Sequence, residues 1–363
     1  MDQNEPKAKR SRAPTISDVA RLAGVSSMTV SRVINGDAKV RAATRARVDA
    51  AISQLNYTPN PAARSLAGAE PIRIGLLYSN PSAAYLSEFL VGTLDQASRA
   101  DIQLVIEKCE PGGHEVEAAL HMIGGGVHGL ILPPPLCDSA AIVAALADRE
   151  VPAVVVATGR APERASAVSI EDHAASLAMT RHLIALGHQR IGFIIGNPNQ
   201  TASARRLDGY RDALAEAGIA ADDALITQGL FTYRSGLDAA EQLLAMDDRP
   251  TAIFASNDDM AAATVAVAHR HGIDVPGDLT VCGFDDTAIA TTIWPELTTI
   301  HQPIADMSRA ALDRVAREVR LRRSGETPAP EHLLLDFKLI RRQSDAAPRR
   351  RPPAAVPPIP SRG

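Results

Sequence analysis

The sequence predicts a small all-α head followed by an α/β body made of two doubly wound, parallel-sheet subdomains. Three observations carry this. Residues 15 to 36, TISDVARLAGVSSMTVSRVING, read as two short helices joined by a Gly-containing turn. From Ile72 onward, short apolar runs without polar alternation are separated by amphipathic helices, the pattern of parallel strands covered on both faces. About 270 residues of that pattern exceed a single doubly wound sheet, so two similar subdomains with a cleft between them are expected. A 45% hydrophobic content with only 3% aromatics requires cores of Ala, Val, Leu and Ile.

Each element has a local reason. Residues 1–14 are charged and contain proline, and are expected to be a disordered arm. Thr15 with Asp18 three places on forms a capping box for the first helix, whose Val19, Leu22 and Ala23 are expected on one inner face. Gly24 closes that helix and Ser26 can cap the next. On the second helix Val30, Val33 and Ile34 fall at inward spacing, which leaves Ser27, Met28, Ser31 and Arg32 on the opposite side. A helix-turn-helix needs this division, because its second helix must lie in a major groove and touch base edges. Val48, Ala51, Ile52 and Leu55 mark the inner stripe of a third helix ending near Tyr57. Asn60 is then a good cap, Pro61 suits the first helical position and Gly68 stops the turn. A helix of two turns is not stable alone in water, so this one is expected only when packed. The body's strands are expected at Ile72–Tyr78, Ile102–Ile106, Gly129–Leu132, Ala153–Val156, Arg190–Ile195, Ala252–Ala255 and Leu279–Gly283. The Pro- and Arg-rich stretch 341–363 is expected to be a disordered tail.

Charge divides the chain as sharply as pattern does. Residues 1–70 hold eleven cationic and six anionic side chains, a surplus of five, while the whole chain carries −4, so the rest carries −9. A basic head on an acidic body suits contact with a polyanion through one end only. Cys109, Cys137 and Cys282 are odd in number and lack metal-ligand spacing, which points to a reduced compartment and no metal site. No apolar run of membrane-spanning length and no signal peptide appear, so a soluble cytoplasmic protein with no membrane partner is expected. An enzyme is disfavoured: there is no nucleophile elbow, no phosphate loop and no paired catalytic carboxylates, and Gly124-Gly125-Gly126 lacks the dinucleotide spacing, so no cofactor is expected.

The string TISDVARLAGVSSMTVSRVING, followed by TRARV, LNYTPN and RSLAG, resembles the DNA-binding head and hinge of the lac-repressor (LacI/GalR) family of bacterial transcription regulators. ALGHQRIGFI, RRLDGYRDALAEAGI, AIFASNDDMA, GDLTVCGFDD and PELTTIHQP resemble successive signatures of that family's periplasmic-binding-protein-like core. The resemblance runs from about Thr15 to about Leu339. It implies a head at 15–59, a hinge at 60–70 and an effector-binding, dimerising core at 71–340. That core would divide into an N-subdomain (about 71–170 plus 302–330) and a C-subdomain (about 171–298 plus 331–340).

The same resemblance implies a homodimer on a palindromic double-stranded operator, acting as a repressor of carbohydrate utilisation gated by a small sugar-like effector. The alternative is a regulator of this type that has lost gating or uses a non-sugar corepressor. Ser27, Met28 and Arg32 match base-reading positions, and Arg32 suits a bidentate guanine contact. Thr15, Ser26, Thr29, Ser31, Asn35 and Thr44 are placed for phosphate or capping bonds, with Lys39 and Arg41 adding charge toward the backbone. In the hinge, Asn60, Ala63, Arg64 and Leu66 match the minor-groove segment, with Leu66 as the wedge. Asp172, Arg206, Phe231, Asn257 and Asp285 match effector contacts, and Tyr78, Asn80 and Tyr85 in the first strand-to-helix loop complete the near wall. The family often has an Asp and an aromatic pair in that loop, and YSNPSAAYL departs from it.

Overall fold

A computed structural model describes residues 14–34, 40–55, 57, 71–109 and 113–349. The site residues Asn35, Lys39, Asn60, Ala63, Arg64 and Leu66 lie outside these, as do residues 1–13 and 350–363. The chain divides into two compact units, Met1–Pro71 and Ile72–Gly363.

In the first unit, helices α1 (Ile16–Ala23), α2 (Ser27–Ile34) and α3 (Ala42–Leu55) enclose one small core. The Thr15 backbone N–H donates to the Asp18 carboxylate at 2.9 Å, as a capping box requires, and the Thr15 hydroxyl donates to the same oxygen at 2.7 Å. Gly24 ends α1 in the left-handed region (φ 63°), where a side chain would be strained. Ser26 caps α2 by accepting the Thr29 N–H at 3.2 Å. Val19, Ala20, Ala23, Val30, Val33, Val48, Ala51 and Tyr57 fill the core. Leu22 does not: it is 46% exposed, and Ala20 takes the inner place expected for it. Successive helix positions turn by about 100°, so Leu22 lies at the edge of the face that Val19, Ala20 and Ala23 share.

The second unit holds two six-stranded sheets. The first contains β1 (Arg73–Tyr78), β2 (Gln103–Lys108), β3 (Gly129–Leu132), β4 (Ala153–Val156), β5 (Ser166–Ser169) and β11 (His332–Leu334), in the order β11-β5-β4-β3-β1-β2 and parallel throughout. The second contains β6 (Ile191–Ile195), β7 (Ile226–Gln228), β8 (Ala252–Ala255), β9 (Thr280–Asp285), β10 (Thr298–His301) and β12 (Lys338–Ile340), in the order β12-β10-β9-β8-β6-β7. Only β12 runs antiparallel, pairing Ile300 with Leu339.

Helices α4 (Ala83–Arg99), α5 (Glu115–Gly124), α6 (Ala140–Ala147) and α12 (Ile304–Arg323) accompany the first sheet. Helices α7 (Asp172–Ala185), α8 (Thr201–Glu216), α9 (Tyr233–Leu244), α10 (Asp258–Arg270) and the short α11 (Ile289–Thr292) accompany the second. The buried residues of α12, Ile304, Met307, Ala311, Leu312, Val315 and Val319, recur at helical spacing and face the first core. The expected parallel-sheet fold is present, with strands wholly buried where the sequence is apolar without a break, as in β3, β4 and β8. No helix among the described residues is long and apolar enough to cross a membrane.

Two expected boundaries need correction. Residues 331–334 do not belong to the second sheet, because β11 pairs with β5 at the edge of the first, with Leu333 beside Val168. The segment from 341 to 349 is not a disordered tail. Ser344 and Asp345 are buried, the Ser344 hydroxyl bridges the Val281 carbonyl (2.6 Å) and the Thr298 N–H (2.8 Å), and the Asp345 carboxylate meets the His182 ring at 2.7 Å. Long-range hydrogen bonds order a stretch whose composition alone argues for disorder.

Candidate functional site

On the head, Ser27, Met28 and Arg32 are all exposed on α2, and Met28 is 67% exposed. Leu22 adds a second exposed apolar side chain on α1. The Ser26 and Thr29 hydroxyls lie 2.9 Å apart. Thr44 and Ser31 are half-buried and Arg41 is exposed, one residue before α3. The Arg41 carbonyl accepts the N–H groups of Thr44 and Arg45, each at 3.0 Å, so the first turn of α3 closes without a short polar cap at that position.

In the body, the loops at the carboxyl ends of both sheets converge on one cavity. Its lining includes Asn80, Tyr85, Arg206, Phe231, Asn257 and Asp285, six of the eight residues expected there. Arg206, on α8, is 4% exposed and fixed on every side. Its Nε donates to Asp172 at 2.7 Å, its Nη1 donates to the Ser256 carbonyl at 2.5 Å, and the Asp285 carboxylate stands 3.9 Å away. The guanidinium also lies 3.6 Å from the ring centroid of Phe284 and 5.7 Å from that of Phe231. A cation held by an ion pair, a carbonyl and two rings presents its remaining donors in a fixed direction. Asn257 caps α10 through Met260 N–H (3.0 Å) and donates to the Phe231 carbonyl (3.1 Å), which positions the ring. That ring seats on Gly196, where a Cβ would fall 1.9 Å from it.

Asp172 and Tyr78 fall elsewhere. Asp172 reaches the site only through Arg206 and lines an adjoining cleft with Thr158, Arg160 and Arg205. Tyr78 ends β1 half-buried, its carbonyl accepting the Cys109 N–H, and does not line the cavity. Trp294, 74% exposed, also stays outside it. Sequence reasoning missed Ser82, Pro134, Gln200 and Gln302, which do line it. For Gln302 a signal existed, since the residue sits inside the quoted PELTTIHQP string.

Burial shapes the electrostatics. It pushes the Asp285 carboxyl well above the usual range, with Arg206 pulling the other way, and raises Asp172 against the same guanidinium. The Tyr85 hydroxyl is likewise driven up by burial and then by Asp285. Gln302 Nε2 donates to Asp285 at 2.6 Å. The Gln302 Oε1 and the Tyr85 hydroxyl, both buried at the cavity, find no hydrogen-bond partner among the described residues. Such orphaned groups cost about 1–3 kcal/mol each unless something fills them. Ala157, Phe231 and Asp285 line the cavity in left-handed backbone (φ 55°, 60° and 109°), and Asp286 follows at 62°. Strain held at several adjacent positions is characteristic of a binding site.

Comparison with known proteins places this geometry. Residues 15–60 match the family described as bacterial regulatory proteins, lacI family, and residues 180–344 match a periplasmic binding protein-like domain. The catabolite control protein A of Priestia megaterium is 34% identical across 82% of this chain and 90% of its own. The transcriptional regulator GalR of Escherichia coli (strain K12) is 34% identical across 92% and 96%. Among solved structures, a lac repressor dimer bound to operator and the anti-inducer ONPF superposes with a TM-score of 0.71 at 29% identity, covering 93% of this chain and 100% of that one. A complex of the transcriptional regulator CelR with cellobiose gives 0.69 at 32% identity, covering 91% and 99%. With a helix-turn-helix head, two doubly wound sheets around a polar cavity and relatives matched along nearly their whole length, this chain belongs to the lacI family of bacterial DNA-binding transcription regulators.

Proposed function

We propose that this protein represses a carbohydrate-utilisation operon in the cytoplasm, as a homodimer on a palindromic operator, with a small neutral sugar in the body cavity setting its affinity for DNA. Its activity is binding, with no catalysed step. The observation that carries the reading is the pair of orphaned polar groups, Tyr85 Oη and Gln302 Oε1, set in a cavity that also offers a fixed guanidinium, a carboxyl and an aromatic ring. A sugar ring supplies hydroxyls for the first four and an apolar face for Phe231. The carbohydrate named with the CelR structure supports the same ligand class.

On the DNA side, Arg32 carries most of the base reading, Met28 adds an apolar contact and Ser27 a short polar one. Thr15, Ser26, Thr29, Ser31, Arg41 and Thr44 hold the backbone. The test is operator binding by the full chain, followed by fluorescence anisotropy on a selected palindrome, with and without a panel of mono- and disaccharides. At least one sugar should change the affinity tenfold or more, and Arg32→Ala should relax sequence preference by about 1–3 kcal/mol. An affinity that no sugar moves would remove the gating and leave a constitutive regulator.

A further inference from the structure

We infer that Asp138 is a positioning residue for the effector site, clasping the two halves of the body together by capping a helix that belongs to the other half. Asp138 follows β3 in the first subdomain, whereas α8, which carries Arg206, belongs to the second. One carboxylate oxygen of Asp138 accepts the Thr201 backbone N–H at 2.9 Å, and the other accepts the hydroxyls of Thr201 and Thr158, each at 2.7 Å. The Thr201 hydroxyl in turn accepts the Gly159 N–H at 2.9 Å.

The residue preceding α8, Gln200, makes no side-chain capping bond of its own. The first turn of α8 therefore takes its cap from Asp138, where the helix's positive end favours a carboxylate. Packing at the same place is equally close. A Cβ on Gly159 would fall 2.7 Å from the backbone of both Thr201 and Ala202, so the first subdomain's loop can touch α8 only as glycine. Across the cleft, at the opposite lip, the Ser82 hydroxyl donates to Asp259 at 2.5 Å, and the Glu88 carboxylate accepts from the Ala288 backbone.

The Asp138 lip carries the larger hydrogen-bonded cluster of the two. When the halves part, α8 loses its cap and the threonine pair loses its shared carboxylate, so this cluster favours the closed arrangement. Arg206 lies five residues into the same helix, and Ala202 and Gln200 line the cavity. The clasp thus fixes where the guanidinium and that wall stand relative to Tyr85 and Asn80 on the other half. A ligand needing both walls binds a chain already held shut more tightly than one that must close on it. This last consequence rests on the effector-gated reading above, but the clasp itself does not.

The experiment uses the full chain with spin labels at Ala141→Cys on α6 and Ala215→Cys on α8, both exposed, diluted into unlabelled protein so that distances within one chain are read. The native cysteines are buried. The parent should give one dominant distance. Asp138→Ala and, independently, Gly159→Ala should each move most of the distribution to longer separations. Thr201→Val should move part of it, and Thr201→Ser, which keeps hydroxyl and N–H, should restore the parent. A thermal melt identifies any variant that has failed to fold, and Thr201→Val, which deletes no charge, then decides the matter. Distributions identical to the parent in every folded variant among Asp138→Ala, Gly159→Ala and Thr201→Val would overturn the clasp. A clasp that opens as expected in a protein whose operator affinity no sugar changes would instead overturn only the gating.

Discussion

The two sheets of the body share a strand order, yet they divide the labour at the cavity unequally. The second sheet contributes nearly all its charge: Arg206, Asp285, and through Arg206 the buried Asp172. The first sheet contributes walls, Pro134 and Ala157 among them, with Asn80, Ser82 and Tyr85 as its polar groups. Their bonding differs in the same sense. Polar side chains of the second half are tied to one another, as Asp258 is to Thr287 (2.8 Å to its N–H) and Thr299 (2.7 Å), and Arg342 is to Asp286 (2.6 Å). Tyr85 presents an oxygen bonded to nothing described. One half is a preorganised polar frame, and the other is a lid surface whose unmet hydrogen bonding a ligand would complete.

Perturbing each half should separate these roles. The largest effect is expected from Arg206→Met, which strands the Asp172 carboxyl in a buried site. Chemical denaturation should show a loss of about 3–5 kcal/mol. A loss under about 1 kcal/mol would mean that the second half is less rigidly built than its hydrogen bonds indicate.

A pH effect should follow from Asp258. Burial raises its carboxyl to about 7, and bonds from Thr299 and Thr287 only partly offset this. Its unfolded value is near 3.9, so the folded chain holds this proton more tightly than the unfolded one. The resulting stabilisation is complete below about pH 4 and is lost as pH rises through about 7, so the melting temperature should fall between pH 5 and pH 8. Asp258→Asn should flatten part of that slope. Asp285, Asp172 and Asp259, also raised by burial, add to the slope in the same direction.

Tyr85→Phe should be smaller and opposite in character. Removing an unpaired hydroxyl should leave stability unchanged or raised by up to about 1 kcal/mol, while affinity for the sugar falls about tenfold. Stability and affinity falling together would assign the hydroxyl a structural bond and break the contrast between the halves. The smallest effect is expected from Asn80→Ala. It removes only a local turn bond to the Ser82 N–H (2.8 Å) and should cost under about 1 kcal/mol in the same denaturation assay.

How much of this could be read from residues alone varies by element. Wholly buried strands such as Ala153–Val156 announce themselves, because continuous apolar runs have no other economical place. Ser166–Ser169 does not, since a serine at each end hides a strand whose burial comes from its neighbours. The edge strand His332–Leu334 is exposed and short, and only its pairing with β5 defines it. Arg206, Asn257 and Asp285 stand within recognisable strings, but Asp138 and Thr201 are 63 residues apart and carry no mutual signal until the fold joins them. Leu22 shows the converse limit, because helical spacing assigns a face without fixing where its edge falls.

The ordered strap after β12 has a genetic consequence. Ser344 and Asp345 fasten β9, β10 and α7 from a stretch that follows the last strand of the second sheet. A nonsense codon or frameshift just before Ser344 would spare every strand of both sheets, yet uncover Thr298 and leave His182 without its carboxylate. A truncation at that point should therefore score as loss of function rather than as a silent allele.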